Sequence, residues 1–239
     1  MSDTMPEIVL LPGLDGTGEL FARIEKCLTP AVCVTVMRYP ADPKLRYAGY
    51  AEIVRAALGT RRVTLLAESF SGPVAVMVAA QMPEQVRGLI LSATFLTSPH
   101  PGWLIRLTSG FNPVQTPRGL RDRLLMGRFG DQALSRQVHD IVSAMPEGVR
   151  KARLHAVSRV DVRKEFASVI CPILALHGDG DWVVPNRRIE AAVNAKSNAR
   201  ISVMEGAHLL LQTRAAEAAR IILPFVQSLE SPNLRKQGT

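Results

Sequence analysis

Six short runs of the chain are almost wholly apolar, at residues 7–11, 32–37, 63–67, 87–92, 173–177 and 199–203. Each is about five residues long, too short for a buried helix, and nearly all apolar. They predict strands covered on both faces. Helix-length stretches lie between them at 18–28, 47–58 and 72–82, and later at 186–194 and 215–229. Strands that alternate with helices predict an α/β fold: a mostly parallel sheet of about six strands flanked by helices on both faces.

The alternation fails once, between residues 97 and 164. Leu120, Leu124 and Leu125, then Leu134, Val138, Ile141 and Val142, recur at helical spacing, interrupted by Pro101, Pro113, Pro117 and Pro146, and no strand pattern is present. This stretch predicts a helical cap inserted into the sheet domain. The core is expected at 1–96 and 165–239, the cap at 97–164, and a frayed polar tail at 231–239.

Composition adds bounds. With 239 residues, 47% of them hydrophobic, the chain can bury the core of one domain with a small insert. Asp3 and Glu7 precede an apolar run too short for a signal peptide. No run approaches the ~18 apolar residues of a spanning helix, so a soluble, cytoplasmic protein is expected. Cys27, Cys33 and Cys171 are odd in number and lack metal-ligand spacing, which suits reduced thiols.

The candidate chemistry starts at Ser69, in the segment LLAESFSGPV. The strand at 63–67 gives way to a helix with almost no loop, and Ala67, Ser71 and Gly72 leave room for a sharp turn. That is the pattern of a nucleophile elbow, which lifts a serine hydroxyl above the sheet; the plainer alternative is a serine capping an ordinary helix. A serine nucleophile needs a histidine held by a carboxylate. Of five histidines, His208 follows the last strand and precedes the last helix. His100, His139 and His155 fall in the cap, and His177 ends a strand, where packing roles are expected. Asp179 and Asp181 follow the strand at 173–177, with Asp179 suited to bonding backbone in its own turn.

Ser69, Asp181 and His208, in that order, together with GDGDWVVP (178–185) and PGLDGTG (12–18), resemble the α/β-hydrolase family. The resemblance favours Asp181 as the acid and implies acyl transfer without metal or cofactor. It implies an oxyanion hole from the backbone N–H groups of Leu14 and Phe70, although Pro12 stands where the family commonly has histidine. Glu68, next to the serine, is expected to serve structure more than chemistry. Cap residues Trp103, Leu107, Phe111, Leu124 and Leu125 are candidates for an acyl pocket. The reading is a serine carboxylesterase for a small-molecule ester. Three alternatives stay open: a carrier-protein or coenzyme A ester or thioester hydrolase, an acyltransferase to an alcohol similar to the hydrolase-like part of plant phytyl ester synthases, and a receptor on a hydrolase fold.

Charge sharpens one alternative. The chain carries a formal net charge of +8, and residues 97–164 hold 12 Lys and Arg against 5 Asp and Glu, so the excess sits in the cap. A basic cap over a cleft can steer an acidic partner, or it can be a solvated helical face. Its position and charge resemble the pimeloyl-carrier-protein methyl ester esterases, which implies an acidic acyl-carrier protein met by Arg121, Arg123, Arg150 and Arg153. A nucleic-acid partner is not expected, because no recognised binding module accompanies the charge.

Overall fold

The computed structural model describes residues 5–101 and 117–230. Six parallel strands form one sheet: β1 (Glu7–Leu11), β2 (Cys33–Val36), β3 (Val63–Glu68), β4 (Val86–Ser92), β5 (Ile173–Gly178) and β6 (Ala199–Met204), in the spatial order β2-β1-β3-β4-β5-β6. Every predicted strand is present, with ends within one residue of expectation.

Alternation along the strands divides the core. Val9 and Leu11 of β1 and Leu65 of β3 face α2 (Tyr47–Leu58) and α3 (Gly72–Gln81). Ile8, Leu10 and Leu66 face α1 (Ala22–Leu28) and α10 (Ala215–Glu230) on the other side. A two-residue period sends successive side chains to opposite faces, so a run apolar at every position fits only a sheet covered twice.

The chain leaves β1 toward the β2 edge and then returns to place β3 on the opposite side of β1. That reversal opens a crevice at the carboxyl ends of β1 and β3, where ligand sites of open α/β sheets form. The PGLDGTG loop and Ser69 both begin there.

Between β4 and β5 the described chain forms α4 (Arg118–Met126), α5 (Gln132–Ala144), α6 (Glu147–Val157) and α7 (Arg163–Ser168). Asp131 caps α5 by accepting from Leu134 N at 2.9 Å. The excursion has a narrow neck: Thr97 bridges Asp161, and Val162 N donates to Leu96 O at 2.9 Å. The expected boundary at 164 therefore falls inside α7, whose Phe166 packs into the main core. Met126, Leu134 and Val138 make a small cluster with Leu209, joining α4 and α5 to the loop that carries His208. The remaining helices are α8 (Arg187–Asn194) and the short α9 (Leu210–Thr213), which the sequence pattern did not predict. Among the described residues, no helix is long and apolar enough to cross a membrane.

Candidate active site

Ser69 stands directly after β3 with φ of 50°. A residue with a Cβ held in this left-handed region costs about 1–3 kcal/mol, so its surroundings must enforce it. They do so from both sides. Thr94 Oγ1 donates to Ser69 O. Ser71 Oγ donates to Pro12 O, and Tyr39 OH completes that serine at 2.8 Å. Ser71 has one proton and spends it on Pro12, so Tyr39 is the donor in the second bond. The Cβ of any residue replacing Gly72 would run into Thr94. Gly72→Ala is therefore expected to lower stability by about 1–3 kcal/mol and to free the Ser69 carbonyl; urea unfolding and ester turnover measured together check both effects.

His208 Nε2 lies 2.9 Å from Ser69 Oγ, and His208 Nδ1 lies 2.9 Å from Asp181 Oδ2. His208 and Asp181 are buried. Asp181 Oδ1 accepts from Val183 N and Val184 N, both at 2.9 Å, which aims the other oxygen at the imidazole. Burial pushes the Asp181 carboxyl up, but the His208 charge, the hydrogen bond to it and the two backbone donors outweigh burial and hold it below its usual value. For His208, burial opposes the charged form, while Asp181 and then Glu68 raise its proton affinity to a net upward shift. The arrangement supplies a hydroxyl next to a ring nitrogen whose other nitrogen is fixed by a carboxylate. A proton can pass from Ser69 to His208 as Ser69 attacks, and the resulting cation is stabilised by Asp181.

Asp179 Oδ1 accepts from Gly206 N at 3.0 Å, so it bonds backbone as expected, though in the loop leading to His208 and not in its own turn. Backbone crosses close beneath: a Cβ on Gly178 would strike the carbonyl of Gly206. His177 is fully buried, and burial pushes its imidazole down to about 4. It is a neutral packing group. His100 Nε2 lies 2.8 Å from Val183 O, a contact between the start of the excursion and the loop carrying Asp181.

The loop after β1 is tied down by Gly16 N to Gly13 O at 3.1 Å, Tyr39 N to Gly16 O at 2.8 Å and Thr17 N to Asp15 Oδ1 at 2.8 Å. Its strongest anchor comes from α6. Arg153, 1% exposed, donates from Nη1 to Leu14 O at 2.8 Å, from Nη2 to Pro40 O at 3.2 Å and from Nε to Tyr50 OH at 3.0 Å. Its guanidinium also lies over the rings of Tyr50 and Phe70. The Phe70 side chain packs among aromatic rings, 5.0 Å from Tyr47 and 5.3 Å from Tyr50.

These contacts correct the expected carrier-binding set. Arg121, Arg150 and Arg153 are buried. Arg121 pairs with Asp122 and reaches His139 Nδ1 at 3.2 Å. A guanidinium shut away from solvent cannot meet a carboxylate on another protein. Of the four, only Arg123 is exposed. The sequence held a signal for this: Arg153 shares the apolar stripe of α6 with Val149, Ala156 and Val157, all buried.

A cavity of about 1050 Å³ lies between α4 and the loop carrying Asp181, with Leu120, Leu124, Arg123 and Trp182 in its wall. Leu124 is placed there; Leu125 packs against the Leu209 cluster, and its carbonyl accepts from Leu209 N at 2.7 Å. The other pocket candidates, Trp103, Leu107 and Phe111, lie outside the described residues. Neither Ser69 nor His208 lines this cavity.

A family model described as serine aminopeptidase, S33, matches residues 47–212, a span that contains Ser69, Asp181 and His208. A pimeloyl-[acyl-carrier protein] methyl ester esterase of Neisseria meningitidis is 23% identical over 248 residues, covering 96% of each chain. The enol-lactonase from Burkholderia xenovorans LB400 superposes with a TM-score of 0.81 at 16% identity, over 94% of this chain and 92% of that one. An esterase from Exiguobacterium antarcticum gives a TM-score of 0.81 at 17% identity with the same coverage. With most of its length matched by the family model and its sheet shared with these enzymes, the chain belongs to the serine aminopeptidase S33 family and is a hydrolase of the α/β-hydrolase fold.

Proposed function

We propose that the chain is a serine carboxylesterase that works through an acyl-enzyme. Ser69 attacks the ester carbonyl, His208 takes the proton and returns it to the leaving alcohol, and Asp181 holds the imidazole in the tautomer that leaves Nε2 free. Water then attacks the acyl-enzyme with His208 again as base, releasing the acid. The N–H groups of Leu14 and Phe70 receive the oxyanion. The Phe70 amide opens a helical turn, where N–H groups lack intrahelical acceptors, and each such donor is worth about 3 kcal/mol to the transition state. Residues 97–164 act as the cap over this site. The observation that carries the reading is the continuous line Ser69 Oγ, His208, Asp181, at 2.9 Å per contact, on a serine with positive φ. Labelling by a fluorophosphonate probe, lost in Ser69→Ala, tests it. A receptor on this fold would bind ligand without being labelled, and an acyltransferase would divert the acyl group to added alcohol.

The full-length similarity to the carrier-protein methyl ester esterase favours one substrate class, an ester at the end of a carrier-bound acyl chain. With Arg121, Arg150 and Arg153 committed to the interior, the carrier would meet exposed cations of α4, Arg118 and Arg123. Surface charge of this kind accelerates encounter and is screened over ~10 Å at 0.1 M salt. Arg118→Glu with Arg123→Glu is therefore expected to lower kcat/KM for a carrier-bound methyl ester about tenfold at low salt while a short neutral ester is unaffected; equal behaviour of the two substrates would leave α4 a solvated face. Unpaired Cys27, Cys33 and Cys171 suit a reducing compartment, and we place the enzyme in the cytoplasm.

A further inference from the structure

Glu68 is the last residue of β3, immediately before Ser69, and it is 2% exposed. Its Oε2 accepts from Gln212 Nε2 at 3.1 Å. Its Oε1 is buried with no partner, and so is Gln212 Oε1. Two orphan oxygens on two side chains already joined by one hydrogen bond share a single remedy. If Glu68 carries a proton on Oε1, that O–H is a donor, and Gln212 Oε1 is the acceptor left over.

The surroundings agree. From the loop after β1, Asp15 approaches; from the loop after β5, Asp181; from the loop before α9, His208; from α9 itself, Gln212. No Lys or Arg forms an ion pair with Glu68 among the described residues. Burial pushes the Glu68 carboxyl up to about 7, and Asp15 and Asp181 add to the rise against the lowering effects of His208 and Gln212. An ionised Glu68 would be a third carboxylate in a desolvated site, with one oxygen bare.

We propose that Glu68 stands as a neutral carboxylic acid in a two-bond pair with the Gln212 amide, and that this pair is a positioning device holding Ser69 against His208. The chain connectivity makes the link direct. Glu68 is joined to Ser69 by one peptide bond, and Gln212 stands on α9, four residues after His208. The pair is a second strut between β3 and α9, parallel to the Ser69–His208 contact. The inference rests on Ser69 and His208 being nucleophile and base.

Ionisation removes one bond of the strut and places a negative charge near His208, which raises the proton affinity of the imidazole. Both effects lower the rate, so activity is expected to fall as pH rises through about 7. In Glu68→Gln an amide–amide pair keeps both bonds and nothing ionises. Its kcat/KM profile is expected to lose the alkaline fall, because no group of the pair then ionises near pH of about 7. Glu68→Ala and Gln212→Leu are expected to lose on the order of 10- to 100-fold in kcat with KM little changed, and Glu68→Gln to recover most of the loss. Infrared difference spectra of parent against Glu68→Gln, taken below pH of about 7, should show a protonated-carboxyl band in the parent alone. Absence of that band, or identical pH profiles for parent and Glu68→Gln, would overturn the proposal. The spectra need no substrate, so an unreactive Ser69 would refute the esterase reading and still leave the state of Glu68 decided. If Glu68→Ala unfolds, the comparison of parent with the isosteric Glu68→Gln decides alone.

Discussion

Ser69→Ala is expected to abolish turnover of activated esters, by roughly 10⁴- to 10⁶-fold in kcat, and to leave the fold intact. The size follows from the contact between Ser69 Oγ and His208 Nε2: once the hydroxyl is gone, the base has no proton to take and no acyl-enzyme can form. Stability carries a second expectation. Alanine retains the Cβ that makes φ of 50° unfavourable, whereas glycine occupies that region freely. Ser69→Gly should therefore be equally inactive yet more stable than Ser69→Ala by about 1 kcal/mol. Ester kinetics and urea midpoints on the three proteins measure both. Residual activity in Ser69→Ala near the parent level would remove Ser69 from the chemistry, and equal stability of the two variants would show that the elbow is not strained.

The second large effect is expected at Arg153. Replacement by Met fills similar space but removes the donors to Leu14 O, Pro40 O and Tyr50 OH in a region closed to water. A buried acceptor without a donor costs about 1–3 kcal/mol, and the loop bearing Leu14 loses the tie that fixes its peptide planes. We expect kcat for small esters to fall on the order of 100- to 1,000-fold, as for the loss of an oxyanion donor, with KM changed far less. Circular dichroism and thermal melting would report the accompanying loss of stability. Lys cannot rescue, because one ammonium group cannot span three acceptors set by a planar fork. A Met variant with parental kcat would mean that the loop holds its shape without the cation.

Much of this molecule was legible in the residue pattern, and the reasons are local. Strands apolar at every position can exist only inside a twice-covered sheet, so runs such as 63–67 announced the architecture by themselves. Ser69, Asp181 and His208 were readable because each sits at a strand end beside small residues, where composition is constrained by the turn. The excursion between β4 and β5 was legible as helical but not in its contacts. A basic residue looks the same in sequence whether it faces water or a carbonyl, and total charge gives no hint of which arginines are spent inside. Arg121, Arg150 and Arg153 were misread for that reason. Gln212 was missed for a related one: its partner, Glu68, lies 144 residues away, and no periodicity connects them.

Arg153 also bears on how the site is assembled in time. Leu14 and Arg153 are 139 residues apart. During synthesis, at ~5–20 residues per second, the first strand and its loop leave the ribosome many seconds before α6 exists. Until then the loop has its glycines and no guanidinium to hold it, so this side of the crevice reaches its final geometry only after α6, although its residues are made first. A nascent chain cut short before α6 would carry Ser69 without the guanidinium that ties down the loop after β1, and without Asp181 and His208, which follow later still.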